Sequence, residues 1–232
     1  MCLKLGYIGL TFATVVFIFF IGFKAIKETS KNPGRDKLTL IFSLLFWQVF
    51  IYFISSGDIL KSYDFPPRFA FAFILPSFIF TGIFLYLNRN KKWIKSIPEH
   101  WIIYFQSFRI FVETLFVLSV AHGILHYQVT IEGYNFDMVF AFTAPIIAFL
   151  VYNKKVLPRK TVLVWNYLGL MVIASIIFLF MTTIYKPEIY GSKVPLLPLE
   201  ALTYPYVLIA GFLMPVAVFL HVLSILQLNK VK

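Results

Sequence analysis

The chain has 232 residues, of which 60% are hydrophobic, 19% aromatic and only 13% charged. A water-soluble fold of this size cannot hide that much apolar surface, so the composition excludes the soluble classes and places the chain among membrane proteins. Its 21 Lys and Arg against 10 Asp and Glu give a net charge of +11, which in a soluble protein would suggest nucleic acid.

A bilayer core asks for about 20 apolar residues per helix, with a range of roughly 17 to 25. The sequence predicts seven such helices in one transmembrane domain over 1–232, near 6–23, 38–56, 69–87, 103–126, 138–152, 162–184 and 201–226. The first run is followed by Lys24-Ala25-Ile26-Lys27 and has no small-residue cleavage site, so it reads as a retained helix. The fifth is short. The single cysteine, Cys2, lacks the apolar stretch that would precede a processed, lipidated N-terminus, and it excludes a disulfide framework and a CxxC pair. Small-xxx-small patterns are too sparse to point to a dimerisation face.

The basic residues alternate in density between successive connections. Lys24, Lys27, Lys31, Arg35 and Lys37, then Arg89, Lys91, Lys92 and Lys95, then Lys154, Lys155, Arg159 and Lys160, then Lys230 and Lys232 put fifteen on one side, against five on the other. The rule that cytoplasmic loops carry the excess Lys and Arg sets the N-terminus outside and the C-terminus in the cytoplasm. The surplus charge is then a topology signal, and no nucleic-acid partner is expected. Trp93, Trp101, Tyr104, Tyr152 and Trp165 are expected as an aromatic belt near the inner surface.

Ionisable side chains within a span cost about 2.5 to 3.5 kcal/mol each on insertion scales, so each calls for a partner. Gln106, Arg109 and Glu113 share one face of the fourth helix, and the i, i+4 spacing predicts that Arg109 and Glu113 neutralise each other. Gln48, Asn166 and His221 fall at compatible depth and complete a candidate ligand-binding network in the inner half of the bundle. A second polar group gathers at the outer boundary. There His122 and His126, also at i, i+4, form a candidate metal pair with Asp137 or Asp58. His221 is expected more than roughly 20 Å away along the membrane normal, which counts against a three-histidine zinc centre like that of the seven-helix hydrolases. Pro76, Pro145, Pro205 and Pro215 interrupt spans and each frees a backbone carbonyl.

Residues 201–226 contain no lysine, which excludes a retinal Schiff base, and no HExxH, GxSxG or phosphate-binding glycine loop is present. The segments Glu132–Asp137, Trp165–Leu170 and Pro215–Ser224 resemble parts of a group of small bacterial seven-helix membrane proteins of unassigned function. The resemblance implies a multi-pass protein of the bacterial inner membrane, and it singles out Asn135, Asp137, Asn166 and His221. The resemblance carries over no function; the polar residues give three functional expectations: binding or transport of a small polar or amphipathic molecule, an intramembrane or interfacial enzyme that is metal-dependent or not, or a structural or assembly partner in a membrane complex.

Overall fold

The computed structural model describes residues 2–229, and among them every regular element is helical. The chain runs through α1 (Cys2–Thr29), α2 (Pro33–Ser56), α3 (Ala70–Asn88), the short α4 (Lys92–Ser96), α5 (Glu99–Phe105), α6 (Phe108–Ala121), α7 (Asp137–Asn153), α8 (Arg159–Tyr185) and α9 (Ile209–Asn229). Six stretches among the described residues are long and apolar enough to cross a membrane: α1, α2, α3, α8, α9 and the Glu99–Ala121 path through α5 and α6. The shorter α7 measures about 25 Å at 1.5 Å per residue, against a hydrocarbon core of about 30 Å.

Exposure is inverted relative to a soluble protein. Phe42, Phe46 and Phe53 of α2 are 66%, 70% and 69% exposed, whereas Gln106, Asn166 and His221 are fully buried. An apolar exterior around a polar interior is stable only when the surroundings are themselves apolar. Two buried helix hydroxyls follow the same logic: Thr14 donates to the Leu10 carbonyl at 2.8 Å and Ser55 to Ile51 at 2.6 Å, so neither is left unbonded in the bundle.

α8 packs along α9, α6 against α7 and α1, α1 against α2, and α3 against α9, with α5 wedged between α7 and α9. The first three expected spans and the sixth are present, each starting or ending within a few residues of its apolar run. Two others depart from expectation. The fourth does not run unbroken from 103 to 126: it is interrupted at Gln106-Ser107, where the amides bond back three residues instead of four, to Ile103 and Tyr104. It then ends at Ala121. There Gly123 takes a left-handed φ of 70°, and the Gly123 and Ile124 amides reach Val120 and Ser119 in a Schellman stop. The last span starts at Ile209 instead of 201, because Pro198 and Pro205 leave only a short 3₁₀ turn at Leu199–Leu202 before it.

Two of the prolines inside spans are accommodated by wider turns, whereas Pro145 sits within the regular α-helical part of α7. Ala70–Ile74 precedes Pro76 and Ile209–Leu213 precedes Pro215, each wound as a π-turn that moves the backbone away from the proline ring. Pro215 has no N–H to offer the Gly211 carbonyl four residues earlier, and Trp47 of α2 donates its indole N–H to that oxygen at 2.9 Å. The side chain that re-satisfies the freed carbonyl thus ties α2 to α9.

Candidate functional site

The polar centre begins where α7 begins. The 122–136 connection does not stay at the surface: Val129, Thr130 and Asn135 are buried, and α7 opens at the buried Asp137. Irregular backbone at this depth is tolerated because it is bonded within the protein; the Thr130 carbonyl accepts from the Gly133 and Asn135 amides, and the Asn135 side-chain oxygen accepts from the Asp137 amide at 2.9 Å. This tuck accounts for the shortness of α7. It also carries Asp137 away from its expected outer position and into the bundle.

Arg109 meets Asp137 there. Its Nε donates to Asp137 Oδ2 at 3.0 Å and its Nη2 to Oδ1, a two-pronged pair between side chains only 3% and 6% exposed. The expected Arg109–Glu113 neutralisation is therefore corrected. The planar guanidinium matches a carboxylate presented edge-on across the helix interface, whereas an i, i+4 neighbour on its own helix offers a poorer fork. Glu113 instead accepts from the Asn135 side-chain amide, at 3.0 and 3.1 Å to its two oxygens. That same amide donates to the Val129 carbonyl at 3.1 Å, which fixes which end of Asn135 is nitrogen.

The third Arg109 contact is to His221. Arg109 Nη1 lies 3.0 Å from His221 Nε2, and His221 Nδ1 lies 2.8 Å from Asn166 Oδ1. Asn166 Nδ2 donates to the Val162 carbonyl at 2.7 Å and to Ser224 at 2.9 Å, so its other atom is the oxygen. His221 must then donate from Nδ1 and accept at Nε2, since a guanidinium only donates. The network thus reads as one tautomer, with a neutral imidazole bridging Arg109 to Asn166.

Aromatic packing holds this array. The Arg109 guanidinium lies 5.4 Å from the Phe140 ring centre, Phe140 stacks on Trp165 at 4.9 Å, and Trp165 lies 5.2 Å from the His221 ring. Trp165 Nε1 donates to Thr143 at 2.8 Å. Trp165 was expected in the interfacial belt, but it is 5% exposed and belongs to the wall of the centre. Gly169 gives His221 its space: a Cβ there would stand 2.3 Å from Cε1 and 2.5 Å from Nε2.

Of the other expected ligand-binding residues, Gln106 lies beside the centre, donating to the Ala217 carbonyl at 3.2 Å. Gln48 does not join it; its side-chain nitrogen is buried without a hydrogen-bond partner. The candidate metal residues are not brought together. His122 is exposed and bonds the Leu118 carbonyl at the end of α6, His126 contacts the Gln128 amide, and Asp58 pairs with Lys61. Because α6 stops at Ala121, the helical face that would align His122 with His126 is not there. Among the described residues no group of three or more His, Cys, Asp or Glu side chains is gathered as a metal site. Phe140, Thr143, Ser224 and Tyr7, which bonds Ser119 at 2.7 Å, carry no signal in a single sequence beyond being compatible with helix interiors.

A cavity of about 110 Å³ opens beside the centre. Arg109, Glu113 and Asp137 border it at one side, and Phe108, Phe116, Phe180 and Leu213 are among the apolar groups that form the rest of its wall. The arrangement offers charged groups on one side of an otherwise apolar chamber. No protein-family model, no curated protein and no solved structure matches this chain, so neither a family nor an activity comes from likeness and the geometry has to carry the reading.

Proposed function

We propose that the chain is a single-domain, seven-helix membrane protein that binds or transports a small amphipathic molecule, with α7 as the seventh, short span. The observation that carries this reading is the cavity bordered by Arg109, Glu113 and Asp137, a chamber with apolar walls and a polar side. A helix bundle stabilised for its own sake is served as well by apolar residues at these positions, so two acids and an arginine facing an open space favour a ligand. Asn166, His221 and Ser224 orient the guanidinium from behind. The ligand reaches the site from within the bilayer or through the 122–136 and 186–208 connections, since Ile124, Leu125, Leu197 and Leu202 border the same cavity.

In a thermal-shift screen of small amphipathic compounds on detergent-purified protein, wild type is expected to show stabilising compounds. Glu113→Gln and Arg109→Ala are expected to bind them about 30-fold or more weakly, the equivalent of about 2 kcal/mol. Near-wild-type binding by both variants would exclude these residues from the site.

The charge distribution supports an outside N-terminus for this reading, and a bacterial inner-membrane setting rests on the resemblance of residues 132–137, 165–170 and 215–224 alone. Cys2 is the chain's single cysteine and is exposed. An impermeant maleimide is expected to label Cys2 in intact cells and to fail in inverted vesicles; labelling in vesicles alone would reverse the orientation.

A further inference from the structure

The charges around the cavity do not balance within the protein. Arg109 and Asp137 neutralise each other through a two-pronged bond, and the hydrogen-bond directions make His221 a neutral imidazole. Glu113 remains. It is 1% exposed, borders the cavity, and its hydrogen bonds come from the neutral amide of Asn135; its carboxylate makes no ion pair among the described residues. A buried carboxyl in that position is neutralised either by a proton or by a cation placed next to it.

The rest of the wall favours the cation. Rings of Tyr7, Phe69, Phe108, Phe116, Phe180 and Tyr206 border the same space. Aromatic faces carry negative quadrupole charge, and an ammonium over them is attracted most strongly where water is excluded. An anion meets the opposite conditions. Among the described residues the one cation bordering the cavity is Arg109, whose guanidinium is already committed to Asp137 and His221, and two carboxyls border the cavity beside it. Size sets a further limit, because a dry cavity of about 150 Å³ holds a benzene molecule and this one is smaller.

We infer that the cavity takes a small organic monocation, its ammonium group against the Glu113 carboxylate and its alkyl body among the rings of Tyr7, Phe108, Phe116 and Phe180. The inference rests on the binding reading above and narrows it to one class of ligand. The ligand's charge completes a centre that is then neutral overall, with one cation for each of the two acids. Asn135 acts as a positioning residue, its side-chain amide nitrogen donating to both Glu113 oxygens and so fixing the carboxylate at the border of the cavity.

Three probes of nearly equal size separate the alternatives: n-butylammonium, 1-butanol and butyrate, titrated calorimetrically into the full chain in detergent. The expected result is that n-butylammonium binds at least about ten-fold more tightly than 1-butanol, with butyrate weaker still, the first step corresponding to about 1.4 kcal/mol. In Glu113→Gln the ammonium is expected to fall to the level of the alcohol, while the alcohol changes little. Equal or tighter binding of butanol or butyrate in wild type overturns the cation inference and leaves the binding reading standing. The same holds if Glu113→Gln retains the full preference. Absence of binding by all three overturns both. The wild-type comparison decides the question even if the variant does not fold.

Discussion

Asp137→Ala is expected to lower the unfolding free energy by about 3–5 kcal/mol, the largest effect of any single side-chain truncation in the centre. The reason lies in what remains. Arg109 is 3% exposed and would lose the one anion that it pairs with among the described residues. His221 Nε2 would still accept one N–H, but a neutral acceptor does not offset a buried cation. Interhelical hydrogen bonds in membrane proteins average about 0.6 kcal/mol, so a loss of several kcal/mol separates an uncompensated charge from an ordinary lost bond. Removing both charges together, as Arg109→Met with Asp137→Leu, should recover much of the loss. It leaves His221 Nε2 unpaired, at about 1–3 kcal/mol, so recovery is incomplete. Chemical or thermal unfolding in detergent gives the comparison. A single variant as stable as wild type would mean that the pair does not form.

The second large effect is expected from Gly169→Ala. In most helix interiors this change stabilises by up to about 1 kcal/mol, because alanine is the better helix former. Here the sign reverses. The new methyl would meet the His221 ring at 2.3 Å and Phe140 at 3.0 Å. The ring cannot swing aside cheaply, since Asn166 holds Nδ1 and Arg109 holds Nε2. Overpacking of about 1–3 kcal/mol adds to the loss of the Arg109 contact, for a total of about 2–4 kcal/mol. Gly9→Ala in α1, where a Cβ meets nothing within 4 Å, is the control and should be neutral or stabilising. Trimming the ring with His221→Ala should relieve part of the Gly169→Ala penalty; two independent, additive losses would show that the two residues do not touch.

Much of the helix layout was legible because lipid imposes it. Runs such as 38–56 and 162–184 must be apolar for about 20 residues, and the structure places α2 and α8 over them. Breaks were less legible, although their signals were present. Gly123 marks the end of α6, and Pro198 and Pro205 mark the late start of α9, yet an apolar count alone runs through Gly123 and Pro205. The candidate site was half legible. Depth and facing picked out Gln106, Arg109, Glu113, Asn166 and His221, which the structure gathers.

Partner choice was not legible. The i, i+4 rule names Glu113 for Arg109 because local spacing is all that one helix contains. The partner is Asp137, brought in by the folded-back connection 122–136, which no periodicity reports. The same tuck removes Asp137 from the histidines with which sequence position had grouped it. Trp165 was assigned to a belt by its place near a span end, whereas the stacking of Phe140 against it decides its role. Gln48 shows the limit from the other direction: a mid-span polar residue at a suitable depth that the fold leaves outside the network.

The central claim is that the space beside Arg109, Glu113 and Asp137 is made to hold a small molecule. Native mass spectrometry of the full chain, released from its own membrane in a mild detergent, tests this most directly. One small organic adduct per chain, retained in wild type and lost in Glu113→Gln, is the predicted result. A bare chain, or lipid adducts that Glu113→Gln leaves unchanged, would contradict it.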